Sequence, residues 1–415
     1  MPSTRKQGPP FRAEHIGSLL RPPQLRNAIL EPEKSTQAAL AEITSTAVTD
    51  IVTTQCELGF SAPTDGEYQR ILFLGSFHLA LAGFEDVVDP PIPRQAFRTY
   101  LPDIADFLRR GEAIPYTTMC TGRIRHELER PIYEKEFMYL RSVVEKLERE
   151  GGGRRNASIV PKLTLVSPLW YYTLYRKGYA YPQDVYAHDD EYLADLSLAF
   201  RKEIDLLYGI GCRNIQVDDP YLTGSNKGFC DERVVAGFEA DGDDTRKILT
   251  KYLRFYNSSL AGKPADLHVG MHMCRGNYIN SRHFTTGSYD QIAEALFGQS
   301  EAFDTFYLEY DDSRSGTLEP LRHLPRDKNV ILGVVSSKVP ALEDPSELKA
   351  RVLQAAQYVA EGTGQTPQQA LQQLGVSPQC GFASHVLGNA ITAEDMLAKL
   401  RLVRQVADAL WPGQP

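Results

Sequence analysis

Three short stretches of this chain carry side chains with the chemistry of metal ligands. His272-Met273-Cys274 closes the run Leu267-His268-Val269-Gly270-Met271. In a strand, side chains alternate between faces, so His272 and Cys274 would point together while Met273 points away. Imidazole nitrogen and thiolate sulfur are both good zinc donors, although taken alone a His-x-Cys pair is a weak signal and most such pairs are structural. Glu309 ends the apolar run Phe306-Tyr307-Leu308, where a carboxylate must be solvated, paired or metal-bound. Cys380 follows Ser377-Pro378-Gln379 in a turn-rich stretch, and by itself reads as an inert thiol near the surface.

The elements that must position these residues alternate along the chain. Short β-like runs are read at 61–67, 114–119, 158–166, 214–217, 266–272, 306–310 and 330–335, with one more before Ser18. Between and after them lie helical patterns near 38–58, 135–150, 191–208, 245–256, 289–296, 318–323, 345–360 and 393–410. About eight β segments separated by helices predict an α/β fold of the (β/α)8 TIM-barrel type, one domain with loop insertions. An open doubly wound sheet is the runner-up, weakened because no Gly-rich dinucleotide fingerprint opens a βα unit. Asp89-Pro90-Pro91-Ile92-Pro93 marks an exposed loop within an insertion, and Gly151-Gly152-Gly153 a flexible break. Residues 1–10 are expected to be a disordered tail ahead of a barrel over 11–415. In a barrel, chemistry gathers where strands end at the C-terminal face, which is where the candidate ligands fall.

Six stretches, three of them around the residues above, connect the chain to a known family. Arg12-Ala13-Glu14-His15-Ile16-Gly17-Ser18, Asp65-Gly66-Glu67, Gln216-Val217-Asp218-Asp219-Pro220, His272-Met273-Cys274-Arg275-Gly276-Asn277, Leu308-Glu309-Tyr310 and Cys380-Gly381-Phe382 occur in that order across nearly the whole chain. The chain resembles the catalytic half of cobalamin-independent methionine synthase, and more closely that family's short single-barrel members. The resemblance implies zinc held by His272, Cys274, Glu309 and Cys380. It also implies an amino-acid site at Ile16, Ser18, Glu67 and Asp218 for a homocysteine-like thiol. The implied reaction is S-methylation of homocysteine to methionine through a zinc-bound thiolate. A metal cation deprotonates a coordinating thiol, and the thiolate is the form that attacks carbon. Two carboxylates beside one ammonium, and backbone N–H groups around Ile16 to Ser18 beside a carboxylate, would suit an amino acid.

The resemblance thins at the methyl donor. The long methionine synthases have a second barrel that this chain is too short to contain, and they place a proton-donating histidine after the eighth strand. The corresponding stretch here, Gly333-Val334-Val335-Ser336-Ser337-Lys338-Val339-Pro340, has none. Methylcobalamin or another methylcorrinoid, delivered by a corrinoid protein, and 5-methyltetrahydrofolate are both candidate donors. His15, His268 and His385 are spare candidates for an acid that folate would require. Trp170 is read as core packing, with stacking on a flat donor as the alternative.

Two other readings compete. One keeps the zinc and thiol but attacks an epoxide, as the related coenzyme M transferases do. The other is a metal-free decarboxylase on a similar barrel, which the two cysteine ligands disfavour. Net charge is −8, with 24% charged residues, and there is no basic stripe, which argues against nucleic acid. No leader or spanning segment is read, so a cytoplasmic protein with no membrane partner is expected. The six cysteines are then free thiols or ligands. Nothing in the sequence signals an oligomeric state.

Overall fold

The computed structural model describes residues 8–87, 97–98, 117–151, 159–220, 222 and 231–415. Most of the expected tail, the Asp89–Pro93 loop, residues 114–116, Gly152, Gly153, Ser158 and Cys230 lie outside the described residues.

Six parallel strands form one sheet in sequence order: β3 (Leu163–Val166), β4 (Asn214–Asp218), β5 (His268–Met273), β6 (Thr305–Glu309), β7 (Asn329–Val335) and β8 (Leu374–Pro378). Every residue of β3, β4, β5, β6 and β8 is buried, as parallel strands covered on both faces require. Two short extended segments flank the edges of this sheet. Ala13 bridges Val376 in parallel, with Glu14 N–H donating to Val376 O and Val376 N–H to Arg12 O. At the other edge, Val160 N–H donates to Ser61 O and Lys162 N–H to Pro63 O. The two segments meet through Leu19 N–H on Gly66 O and Thr64 Oγ1 on Gly17 O. The result is an α/β fold of (β/α)8 type, whose helices include Gln37–Glu57, Asp189–Gly209, Thr245–Ser259, Pro345–Thr363 and Ala393–Leu410.

The parallel sheet holds six strands with two short segments beside it, and their membership differs from that of the eight β segments read from the sequence. Of the run read at 114–119, the described part, residues 117–119, belongs to β2 (Thr117–His126), which pairs antiparallel with β1 (Leu81–Val87) outside the parallel sheet. The eighth barrel strand is β8, Leu374-Gly375-Val376-Ser377-Pro378, whose Gly and Pro had read as turn. Its glycine sits where a Cβ would lie 2.5 Å from Ile331 Cδ1 and 3.0 Å from Phe11 O, so close packing between strands explains it. The residue before Cys380 is therefore strand-anchored, and Cys380 is buried rather than near the surface.

Helix ends follow the local chemistry. Thr36, Asp244, Asp344 and Thr392 each accept backbone N–H groups at helix starts, Thr392 within a capping box completed by Asp395. These caps fix where each helix begins, and hence the short loops that rim the C-terminal face.

Candidate active site

Parallel register brings the strand ends to one rim. Asp218 pairs in register with His272, Met273 with Leu308, and Glu309 with Gly333. Met273 is packed into the core, as alternation predicted, while His272 and Cys274 face the barrel mouth with Cys380. One donor atom from each of His272, Cys274 and Cys380 lies within 4.8 Å of the others, and His272 Nε2 is 3.6 Å from Cys380 Sγ. His272 Nδ1 lies 3.3 Å from the Tyr307 carbonyl, which orients the ring so that Nε2 is the nitrogen presented to the cysteines.

All three are buried, so their charges act strongly on one another. Hydrogen bonds from Cys380 and His272 hold the Cys274 thiol well below its ordinary range. The hydrogen bond to Cys274, with burial and its charge, pushes Cys380 well above. The two sulfurs thus share one proton, which a cation binding both of them would displace.

Glu309 lies beside this cluster but outside it. Its Oε2 accepts the Arg275 N–H at 2.8 Å, and its Oε1 is 3.5 Å from Arg314 Nη2 without a hydrogen bond of its own. Burial, with Asp311 and Cys274 nearby, raises its carboxyl to about 7. Tyr289 ties the two strand ends together: its hydroxyl donates to Met273 O and accepts from Glu309 N–H. A soft N/S/S set with an adjacent, incompletely paired carboxylate is the donor chemistry of zinc, so these residues fit that ion.

Next to the His272–Cys274 strand end is a second arrangement. Glu67 and Asp218 are both buried, and Glu67 Oε2 has no hydrogen-bond partner. Burial raises Glu67 to about 7 against the pull of Arg70 (3.9 Å), and the Asp218 charge adds to the rise. Burial likewise raises Asp218 to about 6. Thr164 Oγ1 donates to Glu67 Oε1 and Gln216 Nε2 to Asp218 Oδ1. Two desolvated carboxylates held apart from full pairing are poised for an external cation. The backbone N–H groups of Ile16, Gly17 and Ser18 are buried and find no acceptor among the described residues. Such successive N–H groups form an anion cradle. This cradle touches both neighbours. A Cβ on Gly17 would sit 3.3 Å from Glu67 Oε1, and one on Gly381, the residue after Cys380, only 1.9 Å from Ser18 Oγ.

The spare histidines part ways. His268 opens β5 at the opposite end of the strand from His272, with its ring nitrogens on Asn214 and Thr305, and burial lowers it to about 4. It does not reach the metal cluster's end of the barrel. His15 packs edge-on against Phe60, and burial together with Lys162 lowers it to about 3, so it stays neutral. His385 stays on the β8 loop, edge-on to Tyr278 at 5.7 Å. Trp170 packs edge-on against Phe73.

Sequence reasoning passed over the residues that hold the ligand loops. Lys338, in the stretch noted only for lacking a histidine, is buried. Its ammonium donates to Gly276 O, Asn277 Oδ1 and Arg282 O at 3.0–3.1 Å. Asn277 Nδ2 donates onward to Gly381 O and Ser384 Oγ, and Ser337 Oγ also donates to Gly381 O. A lysine three residues past an apolar strand was the available signal.

Among the described residues, no helix is long and apolar enough to cross a membrane. The family described as "Cobalamin-independent synthase, Catalytic domain" matches residues 179–409. The uncharacterized protein YxjG of Bacillus subtilis is 34% identical over 413 residues, 99% of this chain and 97% of its own. The methionine synthase of Sulfolobus acidocaldarius is 26% identical over 285 residues, 68% of this chain and 66% of its own. A solved structure from Listeria monocytogenes, provisionally assigned as a vitamin-B12 independent methionine synthase, superposes with TM-score 0.65 at 27% identity, covering 98% of this chain and 99% of that one. A family independent of cobalamin gives no support to a corrinoid partner. With the fold, the converging ligand residues and these matches together, the chain belongs to the cobalamin-independent methionine synthase family.

Proposed function

We propose that this protein is a zinc-dependent S-methyltransferase whose acceptor is homocysteine. The observation that carries the reading is the adjacency of three features at one rim: the His272, Cys274 and Cys380 donors, the Glu67–Asp218 pair, and the unpaired N–H groups of Ile16 to Ser18. Zinc held by His272, Cys274 and Cys380, with Glu309 as the exchangeable fourth donor, would supply the Lewis acidity that keeps a coordinating thiol deprotonated at neutral pH.

The chain's own groups do the rest. Ile16, Gly17 and Ser18 N–H groups receive the substrate carboxylate, and Glu67 with Asp218 takes the ammonium. Because Gly381 lies against Ser18, an amino acid seated there presents its sulfur to the Cys380 side of the cluster. Holding carboxylate, ammonium and sulfur at three points fixes the attack direction, the positional part of catalysis. The sulfur then forms a bond to the methyl carbon while the donor keeps the electron pair of the bond that breaks. A thiol without an amine would leave Glu67 and Asp218 unpaired, which favours homocysteine over an epoxide-accepting simple thiol.

Purified protein assayed for zinc, then for homocysteine methylation with 5-methyltetrahydrofolate and methylcobalamin in parallel, tests the reading. About one zinc per chain and methionine formation from one of the donors is expected. Absence of zinc affinity, or zinc-loaded protein inert with both donors, would overturn it.

A further inference from the structure

Besides the groups that would touch substrate, the barrel interior holds a buried ion pair that the reaction does not use. Lys162 and Glu14 are both fully buried, 2.8 Å apart, and the Lys162 ammonium lies 4.7 Å from the centre of the Tyr307 ring. A charge pair buried to this depth needs further hydrogen bonds to satisfy its remaining protons. Lys162 directs one of them to the carbonyl of His15. Gln216, also fully buried, donates through one Nε2 to Ile16 O at 2.6 Å and to Asp218 Oδ1 at 2.7 Å. Thr64 Oγ1 takes Gly17 O at 2.7 Å. Three successive carbonyls, His15 to Gly17, are thus each tied to a side chain from another part of the barrel.

In a planar trans peptide the C=O of one residue and the N–H of the next point in opposite directions. Tying the carbonyls of His15, Ile16 and Gly17 therefore turns the N–H groups of Ile16, Gly17 and Ser18 away from those donors. These are the three N–H groups that find no acceptor among the described residues. We propose that Lys162 and Gln216 are positioning residues that set the peptide planes of the Ile16–Ser18 cradle and so determine recognition of the substrate's carboxylate. Gln216 does this while holding Asp218, which couples the carboxylate and ammonium subsites through one amide. The inference rests on the amino-acid reading of this site and deepens it.

The test is equilibrium binding by calorimetry to the full-length, zinc-loaded chain, using L-methionine and its decarboxylated counterpart 3-(methylthio)propylamine. The two probes differ only in the carboxylate. The variants are Lys162→Met, Gln216→Leu and the double variant Glu14→Gln/Lys162→Met, which removes both charges together. Wild type is expected to prefer L-methionine. Each variant should lose tenfold or more of that preference, mainly through weaker L-methionine binding. Gln216→Leu alters no charge and keeps the test answerable should Lys162→Met fail to fold. Variants that keep the wild-type preference, or weaken both probes equally, would reduce Lys162 and Gln216 to structural roles and overturn the inference alone. Wild type that binds neither probe would overturn the amino-acid reading and this inference together.

Discussion

At the scale of single residues, the reaction reduces to which atoms are left incompletely paired. Cys380 is one corner of the three-donor cluster, and its thiol has no substitute within reach in the described residues. Cys380→Ala is expected to lose most bound zinc and all methyl transfer, read by metal analysis and by methionine formation. Glu67 gives a second expectation, one that depends on pH. Burial raises its carboxyl to about 7, so the ionised form that attracts an ammonium predominates above that pH and is lost as pH falls through it. Affinity for L-methionine should therefore fall several-fold from pH 8 to pH 6, measured by calorimetry. Glu67→Gln should flatten that part of the profile and weaken binding by about 1.5–3 kcal/mol, the usual worth of a hydrogen bond to a charged group. Unchanged affinity across this range would remove Glu67 from the site.

At the scale of elements, the candidate donors lie at the ends of three separate strands, β5, β6 and β8, and something must keep the loops that follow those ends in register. Asn277 does so from the β5 loop: it accepts from Lys338 of the β7 loop and donates to Gly381 O and Ser384 of the β8 loop. All three Lys338 protons have acceptors, so this ammonium braces the loops rather than donating to a departing nitrogen. Groups that orient metal ligands typically contribute 10–100-fold to metal affinity. Asn277→Ala should weaken zinc by about tenfold while far-UV circular dichroism is unchanged, measured by chelator competition. Zinc affinity equal to wild type would show that the loops hold themselves.

At the scale of the whole molecule, the start and the end of the described chain are pinned together beside β8. Arg12 N–H donates to Pro415 O, and its guanidinium to Gln372 O and Leu374 O at the start of β8. The same guanidinium stacks over Trp411, 5.5 Å from the ring centre, and the Trp411 indole N–H reaches Leu371 O. Trp411 is almost wholly buried, so Trp411→Ala leaves a cavity at this seam. A loss of about 3–5 kcal/mol is expected, seen as a lower urea midpoint. Because the seam joins the Ile16–Ser18 cradle to the strand that carries Cys380, the variant should also bind L-methionine more weakly at temperatures where it remains folded.

The fold class was legible because periodicity is local. Alternating and 3.6-residue patterns survive in any one stretch, and the helices at 393–410 and 345–360 were read within a few residues of their observed ends. Membership of the barrel was not local. β8 carries Gly375 because the Ile331 side chain and the Phe11 and Arg12 carbonyls press on it, and that pressure exists only after the strands pack. As residue types alone the candidate ligands were weak signals; the motifs running in order along the chain are what pointed to them. By itself the sequence determined the donor chemistry and the α/β alternation. Only the tertiary structure decided that Cys380 is buried beside His272, that Glu309 stands outside the three-donor cluster, and that Lys162, Gln216 and Lys338 matter. Those outcomes depend on distances between atoms up to about two hundred residues apart in the chain, which closure of a barrel sets and local pattern does not.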